Sequence, residues 1–332
     1  MRNEGRGLLC VLCGMLGMTA TSFCASSERS LDQLLQAAGT ARLSGNYAEA
    51  GELYTVAIRD LDSAKVADLR LARGLLGLGL IRQVEGRCQE AADLALRGIR
   101  ILEAADGPEP TERGAAWQEL GKAYNCQRQF SKAEQALDRA LDIEQSAPAP
   151  RANRLVEILA SQGAVHEAER KFPEAENALQ RAQAILFRSA GADPGEEALL
   201  LNNLGILYRM MGRIAESQAA FRRGLDLANA GTLPDAAIEA TLLYNLAFLD
   251  LARKQYRDAA AGFERALALL DRGAPLAPRT TGQILRDYAT CLRKLGDGRQ
   301  AKALDERAAA LLRSQPDGNG RALVDVTELA RK

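Results

Sequence analysis

The sequence predicts an all-α solenoid of about seven helix-turn-helix repeats, and three observations favour it. A small residue returns every 41 or 42 residues, further small residues follow it by 12 and 19 positions, and proline keeps to one part of the repeat. A register held over most of a 332-residue chain is typical of proteins whose repeats pack only on their neighbours. The leading small residues of the seven repeats are Ala38, Gly79, Gly121, Gly163, Gly205, Ala247 and Ala289.

Each repeat contains two predicted helices, and repeat 5 shows them most clearly. Its first helix has an apolar stripe that includes Leu204 and Tyr208. Gly212 ends this helix, and Phe221 lies in the second one. Helices whose axes lie about 8–10 Å apart need small side chains where they cross. A bulky replacement of Gly205 should therefore cost about 1–3 kcal/mol through overpacking.

Proline placement marks the loops between repeats. Proline is excluded from helix interiors because it lacks an N–H and clashes with the preceding turn. Pro173, beside Phe172 at the start of a second helix, occupies a position where proline is tolerated. The other nine prolines fall after second helices, where loops are needed. They are Pro108, Pro110, Pro148, Pro150, Pro194, Pro234, Pro275, Pro278 and Pro316.

Repeat 3 carries a recognisable set of side chains on its two helices. They are Trp117, Leu120, Gly121 and Tyr124, followed by Phe130, Ala133, Leu137 and Ala140. This motif resembles the tetratricopeptide repeat, whose usual length is 34 residues. The 42-residue spacing, with Leu-Asn-Asn-Leu-Gly at 201–205 and Leu-Tyr-Asn-Leu-Ala at 243–247, is similar to the repeats of kinesin light chain. The resemblance implies a right-handed superhelix whose concave groove is formed mainly by first helices.

The two ends of the chain differ from the repeats, which occupy residues 28–313. Residues 1–25 have the layout of a secretory signal peptide, because Arg2 and Arg6 precede a short apolar run that small polar residues follow. Residues 314–332 are interpreted as a C-terminal tail or capping segment.

The predicted signal peptide indicates an exported protein, periplasmic or secreted. A lipid anchor on Cys24 is less favoured, because Phe23 stands where a small residue is wanted. A cytosolic protein with a misassigned start is a further alternative. The abundance of Ala, Arg, Leu and Gly is typical of a GC-rich bacterial genome.

Charge and hydropathy exclude several classes of partner. The chain has 43 basic and 43 acidic residues, so no net field favours nucleic acid or an anionic membrane. No stretch reaches the roughly 20 apolar residues that span a bilayer. We expect no nucleic-acid partner and no membrane span after signal removal, and the oligomeric state stays open.

No motif in the sequence indicates catalysis. The glycines of Gly77-Leu78-Gly79 lie on a helix without the third glycine of a dinucleotide site. His166, the only histidine, takes the position that Tyr208 holds in another repeat, so we expect a half-buried packing residue. Carboxylates such as Glu167 and Glu169 are interpreted as solvated helix faces. With one histidine and scattered cysteines, we predict no metal, no cofactor and no enzyme activity.

Three cysteines follow the signal peptide: Cys88, Cys126 and Cys291. We expect Cys88 and Cys126 at the turn-side ends of first helices in adjacent repeats, so a disulfide between them is one interpretation. Three small buried thiols are the interpretation we favour.

The concave groove supplies the candidate binding site. Its C-terminal half is predicted to be apolar, with three amides, and basic at its far end. A carboxamide donates and accepts at once and can pair with an extended peptide backbone, and arginine suits a carboxylate. In the family that the repeats resemble, Asn203 and Asn245 match a position that contacts the ligand backbone. The candidates are Asn202, Asn203, Arg209, Tyr244, Asn245, Phe248, Arg286 and Arg293.

The function that the sequence favours is non-catalytic binding. We expect an exported scaffold or assembly factor that holds an extended peptide or a partner protein in its groove. The alternative is a structural subunit of an envelope complex, which would contact its partners through the convex face or the tail.

Overall fold

The computed structural model describes residues 20–105, 110–189, 193–230, 236–274 and 276–313. Every regular element in these ranges is an α-helix, which confirms the predicted fold class. The helices are α1 (Ala20–Leu43), α2 (Tyr47–Ser63), α3 (Leu69–Val84), α4 (Cys88–Ala104), α5 (Pro110–Cys126), α6 (Phe130–Gln145), α7 (Ala152–Ala168), α8 (Phe172–Arg188), α9 (Pro194–Met210), α10 (Ile214–Ala230), α11 (Ala236–Ala252), α12 (Tyr256–Asp271), α13 (Pro278–Leu295) and α14 (Gly298–Arg313).

Consecutive helices form seven pairs, which we number as repeats 1 to 7. Each helix packs on the next helix of the chain, and the first helix of every repeat also lies against the first helix of the next repeat. Buried side chains form successive clusters along this stack, from Leu61 near one end to Leu292 near the other. Packing between neighbours alone is what makes the chain a solenoid.

Close contact within the helix pairs of repeats 3 and 5 explains two of the leading glycines. A Cβ added to Gly205 would lie 2.4 Å from Cε1 of Phe221. Ser217 Oγ donates a hydrogen bond to the carbonyl oxygen of the same glycine over 2.7 Å. In repeat 3, a Cβ on Gly121 would lie 2.6 Å from Cγ of Leu137. Packing, and not helix propensity, therefore selects glycine at these two positions.

The turn inside every repeat contains one residue with left-handed backbone. These residues follow the leading small residue by seven positions and have φ between 59° and 91°. Glycine adopts this conformation without a steric cost, whereas another L-residue pays about 1–2 kcal/mol. Three of the seven turns therefore hold local strain. The seven residues are Gly45, Gly86, Arg128, Arg170, Gly212, Lys254 and Gly296.

Four prolines lie where helices begin: Pro173 as predicted, and Pro110, Pro194 and Pro278 just past the loops in which they were expected. Pro110, Pro194 and Pro278 are the first residues of α5, α9 and α13, and Pro173 is the second residue of α8. The missing N–H costs nothing there, because the first turn of a helix leaves its N–H groups without partners.

A disulfide joins Cys88 to Cys126, so the interpretation of three unpaired thiols is wrong. Their Cα atoms lie 5.8 Å apart, which is within the span of a disulfide. Cys88 begins α4, a second helix, and not the end of a first helix as expected, whereas Cys126 ends α5. The bond therefore ties repeat 2 to repeat 3. Cys291 is buried and free, and its thiol donates to the carbonyl oxygen of Tyr256.

The predicted signal peptide and tail stay predictions. Most of residues 1–25 and all of residues 314–332 lie outside the described residues. No helix in the described part of the chain combines the length and apolar character that crossing a bilayer requires.

Candidate inner-face binding site

The first helices of repeats 5 and 6 place the predicted binding residues side by side. Because an α-helix has 3.6 residues per turn, positions −3, −2, +1 and +4 from the leading small residue share one stripe. We call the surface that these positions form on the first helices the inner face. Its residues are Asn202, Asn203, Ile206 and Arg209 in α9, and Tyr244, Asn245, Phe248 and Leu251 in α11.

Polar side chains on the inner face form hydrogen bonds from one repeat to the next. In each case the residue at −3 of one first helix bonds to the residue at −2 of the following first helix, 43 positions later. These bonds fix the spacing of first helices where apolar contacts do not. The pairs are Gln118 with Ser161 at 3.1 Å, Asn202 with Asn245 at 2.7 Å, and Tyr244 with Asp287 at 3.0 Å.

Two predicted ligand contacts, Asn202 and Asn245, are bonded to each other. Asn245 Nδ2 donates to Asn202 Oδ1, and the residues are only 8% and 1% exposed. The pair is therefore built into the contact between repeats 5 and 6. A direct contact of either amide with a ligand stays a prediction.

Tyr244 is likewise engaged within the protein. Its hydroxyl donates to Asp287, whose other carboxylate oxygen accepts from Gln283 Nε2 at 3.0 Å. Burial is the main cause of a raised pKa for both Tyr244 and Asp287. The tyrosine therefore stays protonated and keeps its bond to the next repeat at neutral pH.

Asn203, Arg209 and Phe248 are placed differently. The guanidinium carbon of Arg209 lies 5.2 Å from the centre of the Phe248 ring, in cation–π contact. The Nε of Arg209 is buried and has no hydrogen-bond partner among the described residues. Asn203 is half-buried, and its side chain makes no hydrogen bond within the described part of the chain. These three side chains keep polar and aromatic groups that a ligand can use.

The predicted basic end of the groove lies on α13. Arg286 is exposed, and its side chain forms no ion pair with a described residue. Arg293 is also exposed, but its Nη1 lies 2.5 Å from Oδ2 of Asp305 on α14. Of the two arginines, only Arg286 has its full charge available to a partner.

Glu167, at the +4 position of α7, is an inner-face residue that the sequence interpretation placed wrongly in solvent. The residue is only 7% exposed. Burial raises the pKa of its carboxyl to about 7, against the opposing effect of the Arg209 charge. Its carboxylate makes no hydrogen bond to a described residue. The spacing of 42 residues, one repeat, between Glu167 and Arg209 is the feature of the sequence that indicates their equivalent positions on adjacent first helices.

The inner face of repeats 3 and 4 is filled by polar side chains that bind each other. Lys122 Nζ lies 3.3 Å from Glu119 Oε1, and both residues are buried. Arg154 donates to Gln118 Oε1 at 2.9 Å and pairs with Glu157. These polar groups bind neighbours on the protein itself, in contrast to Arg209 Nε and the Asn203 side chain.

His166 lies in a cluster of charged groups at the turn side of repeat 4. Its Nδ1 is 3.2 Å from Glu134 Oε1, and these atoms and a Glu169 oxygen all lie within 4.8 Å of one another. Lys171 Nζ lies 3.1 Å from the Glu134 carboxylate and 2.9 Å from that of Glu169. The ammonium group therefore already supplies the positive charge that a metal ion would bring.

The same contact recurs one repeat later without a histidine. Arg213 Nη1 lies 2.8 Å from Glu176 Oε2, and the guanidinium stacks on the ring of Tyr208. Arg213, Glu176 and Tyr208 each lie 42 positions after Lys171, Glu134 and His166, in that order. The cluster at His166 is thus one of a series of ion pairs that join adjacent repeats.

Comparison with known proteins identifies the repeat. The model of the tetratricopeptide repeat family matches residues 155–230 and 196–272. No curated protein sequence matches the chain. The matched residues include the candidates on α9 and α11 but not Arg286 and Arg293 on α13, and within them the predicted tetratricopeptide repeat is confirmed.

Solved structures share the fold at low sequence identity. BtubC (BKLC) from P. vanneervenii is 18% identical with a TM-score of 0.57, over 72% of this chain and 97% of its own. A Rap protein complexed with Competence and Sporulation Factor is 15% identical with a TM-score of 0.61, over 85% and 74%. The Rap conjugation gene regulator of plasmid pLS20, in complex with the Phr* peptide, is 17% identical with a TM-score of 0.61, over 86% and 74%.

Proposed function

We propose that this chain, a protein of tetratricopeptide repeats, is an exported, non-catalytic scaffold that binds an extended peptide or a segment of a partner protein. The binding site is the inner face between repeats 4 and 6. Scaffolding or assembly in the cell envelope is the role that follows from export and binding together.

One observation carries the binding proposal. Asn203, Arg209 and Phe248 all lie on the inner face of repeats 5 and 6, and neither the Asn203 side chain nor Arg209 Nε bonds to a described residue, whereas Asn202 and Asn245 bond to each other. A carboxamide can donate to and accept from a peptide backbone at once. The guanidinium can bind a carbonyl or carboxylate oxygen, and the ring can receive an apolar side chain.

The structures of similar fold support a peptide as the ligand. The Rap regulator of plasmid pLS20 was solved in complex with the Phr* peptide, and the other Rap protein in complex with Competence and Sporulation Factor. A fold alone does not carry its function to another chain, so the proposal depends on the inner-face residues of this one.

Export has independent chemical support. The Cys88–Cys126 disulfide is expected to persist only in an oxidising compartment, such as the periplasm or the cell exterior. Mass spectrometry of the protein isolated from its native cell, under alkylation, tests this. We expect a mature N-terminus within or just after residues 20–26 and an intact disulfide; an unprocessed chain with both thiols alkylated would contradict export.

Affinity capture from native envelope extract tests the binding proposal. The mature protein, residues 26–332, is compared with an Asn203→Ala/Phe248→Ala variant. A matched control, Gln180→Ala/Phe187→Ala, removes the same two residue classes from exposed positions on α8. We expect one partner to be lost by the inner-face variant and retained by the control.

The control also tests the alternative function. Phe187 is 92% exposed, on a second helix of the solenoid. Its ring is therefore accessible to a partner that contacts the second helices instead of the inner face. Loss of the partner by the control variant alone would assign binding to the second helices, as the structural-subunit alternative requires.

A further inference from the structure

Glu167 and Arg209 occupy the same position on adjacent first helices. Glu167 lies at +4 in α7 and Arg209 at +4 in α9, 42 residues later. Their charges act on each other, yet no ion pair joins the carboxylate to the guanidinium. The arginine is instead turned onto the Phe248 ring of the next repeat.

This arrangement leaves an acidic group on the inner face without a hydrogen-bond or ion-pair partner among the described residues. Glu167 is more than nine-tenths buried, and its carboxylate receives no hydrogen bond from a described residue. A buried carboxylate normally has a cationic or N–H partner, because removing it from water is otherwise costly. A basic residue three positions away on the same helix provides such a partner to Glu119 and to Glu157, whereas the described residues provide none to the Glu167 carboxylate.

We propose that Glu167 receives a cationic group of the bound peptide, from a lysine or arginine side chain or from the N-terminal amine. This inference rests on the proposed function, since it names the chemistry of a ligand bound at the same inner face. Bound there, the cation lies next to Arg209, which is held on Phe248 and directed to a carbonyl or carboxylate oxygen of the ligand. The preferred ligand thus carries a positively charged group close to a carbonyl or carboxylate oxygen that accepts a hydrogen bond.

Selection from a random peptide library with the purified mature protein tests this. One arm of the library has acetylated N-termini and the other has free amines, so that a side chain and an N-terminal amine are distinguished as the source of the cation. The variants are Glu167→Gln and, as a matched control, Glu174→Gln, which removes an exposed carboxylate from the neighbouring helix α8. Circular dichroism verifies that both variants are folded.

We expect the parent protein to enrich peptides with a basic group at one fixed position. Glu167→Gln should lower the affinity for these peptides by about tenfold or more, because a charge-assisted hydrogen bond is lost. Glu174→Gln should bind as the parent does.

Two other outcomes overturn the proposal in different ways. In the first, the selected peptides need Asn203 and Phe248 but have no preferred basic position, and the Glu167→Gln variant binds them as tightly as the parent. This result would refute the role of Glu167 and leave the inner-face site intact. If the library yields no peptide whose binding the Asn203→Ala/Phe248→Ala variant abolishes, both the proposed function and this inference fail.

Discussion

Asn245 donates a hydrogen bond to Asn202 over 2.7 Å, and the two residues occupy adjacent first helices. The pair Gln118 and Ser161 has the same separation of 43 residues and the same role. Polar contacts of this kind set the distance between repeats on the inner face. They also separate residues that hold the solenoid together from those that remain available to a ligand.

The asparagine pair should contribute mainly to stability. Asn245→Ala leaves the buried Asn202 amide without its partner, so we expect the free energy of unfolding to fall by about 1–3 kcal/mol. Urea unfolding followed by circular dichroism measures this change. Asn203 is the neighbour of Asn202 in the sequence, but Asn203→Ala should change the free energy of unfolding by no more than about 0.5 kcal/mol. Equal losses of stability from Asn245→Ala and Asn203→Ala would refute the assignment of Asn245 to stability and of Asn203 to binding.

Gly205 should resist even a single added methyl group. Gly205→Ala places a Cβ 2.4 Å from the Phe221 ring, and the overpacking should cost about 1–3 kcal/mol. The matched change Gly79→Ala meets nothing closer than 3.5 Å, so it should stabilise by about 0.5–1 kcal/mol through helix propensity. If this packing account holds, thermal unfolding shows a lower Tm than the parent for Gly205→Ala and a higher Tm for Gly79→Ala.

The left-handed turn residue Lys254 should be improved by glycine. Its φ of 62° is strained for lysine, so Lys254→Gly should raise the free energy of unfolding by about 1 kcal/mol. Arg128 has a similar φ of 59°, but its guanidinium stacks on Phe130. Arg128→Gly loses that contact and should be nearly neutral. A destabilised Lys254→Gly protein would contradict the strain assigned to this turn.

Glu167 should make stability depend on pH between about 4.5 and 7. The pKa of its carboxyl is raised from 4.5 to about 7 in the folded protein, chiefly by burial. The folded state therefore holds the proton more tightly than the unfolded state, and the carboxyl destabilises the fold above pH 7. This penalty disappears as the pH falls through that window. The full effect is on the order of 3 kcal/mol.

Glu167→Gln removes this penalty at high pH only. We expect its free energy of unfolding relative to the parent to be higher at pH 8 than at pH 4.5, as measured by urea denaturation at both values. The exposed Glu174→Gln control should show no such difference between the two pH values. A Glu167→Gln effect that is the same at both pH values would show that the carboxyl is not buried unpaired.

Periodicity predicted the helix pairs and the glycines, because both depend on spacing along the chain. Gly205 and Gly121 were identified by register alone, and each faces the large side chain that the repeat requires. The strain at Arg128 and Lys254 was not predicted, although both residues hold the place where Gly212 ends a helix in repeat 5.

The candidate site was predicted less completely, because contacts between repeats depend on distances that spacing does not fix. Asn202 and Asn245 were expected to face a ligand, yet they lie close enough to bond to each other. Cys88 was assigned to the end of a first helix, although it begins a second one, and its pairing with Cys126 was passed over in favour of three buried thiols. Glu167 was counted among the solvated carboxylates although its +4 position assigns it to the groove, because register gives the face of a residue but not its burial.

Site-specific cross-linking in the native cell tests the central claim most directly. A photoreactive amino acid replaces Asn203 in one form of the protein and Phe187 in a second form. We predict that the form modified at Asn203 becomes linked to a single partner through an extended segment, whereas the form modified at Phe187 does not. Cross-links from Phe187 alone would contradict binding at the inner face and assign it to the outer side of the solenoid.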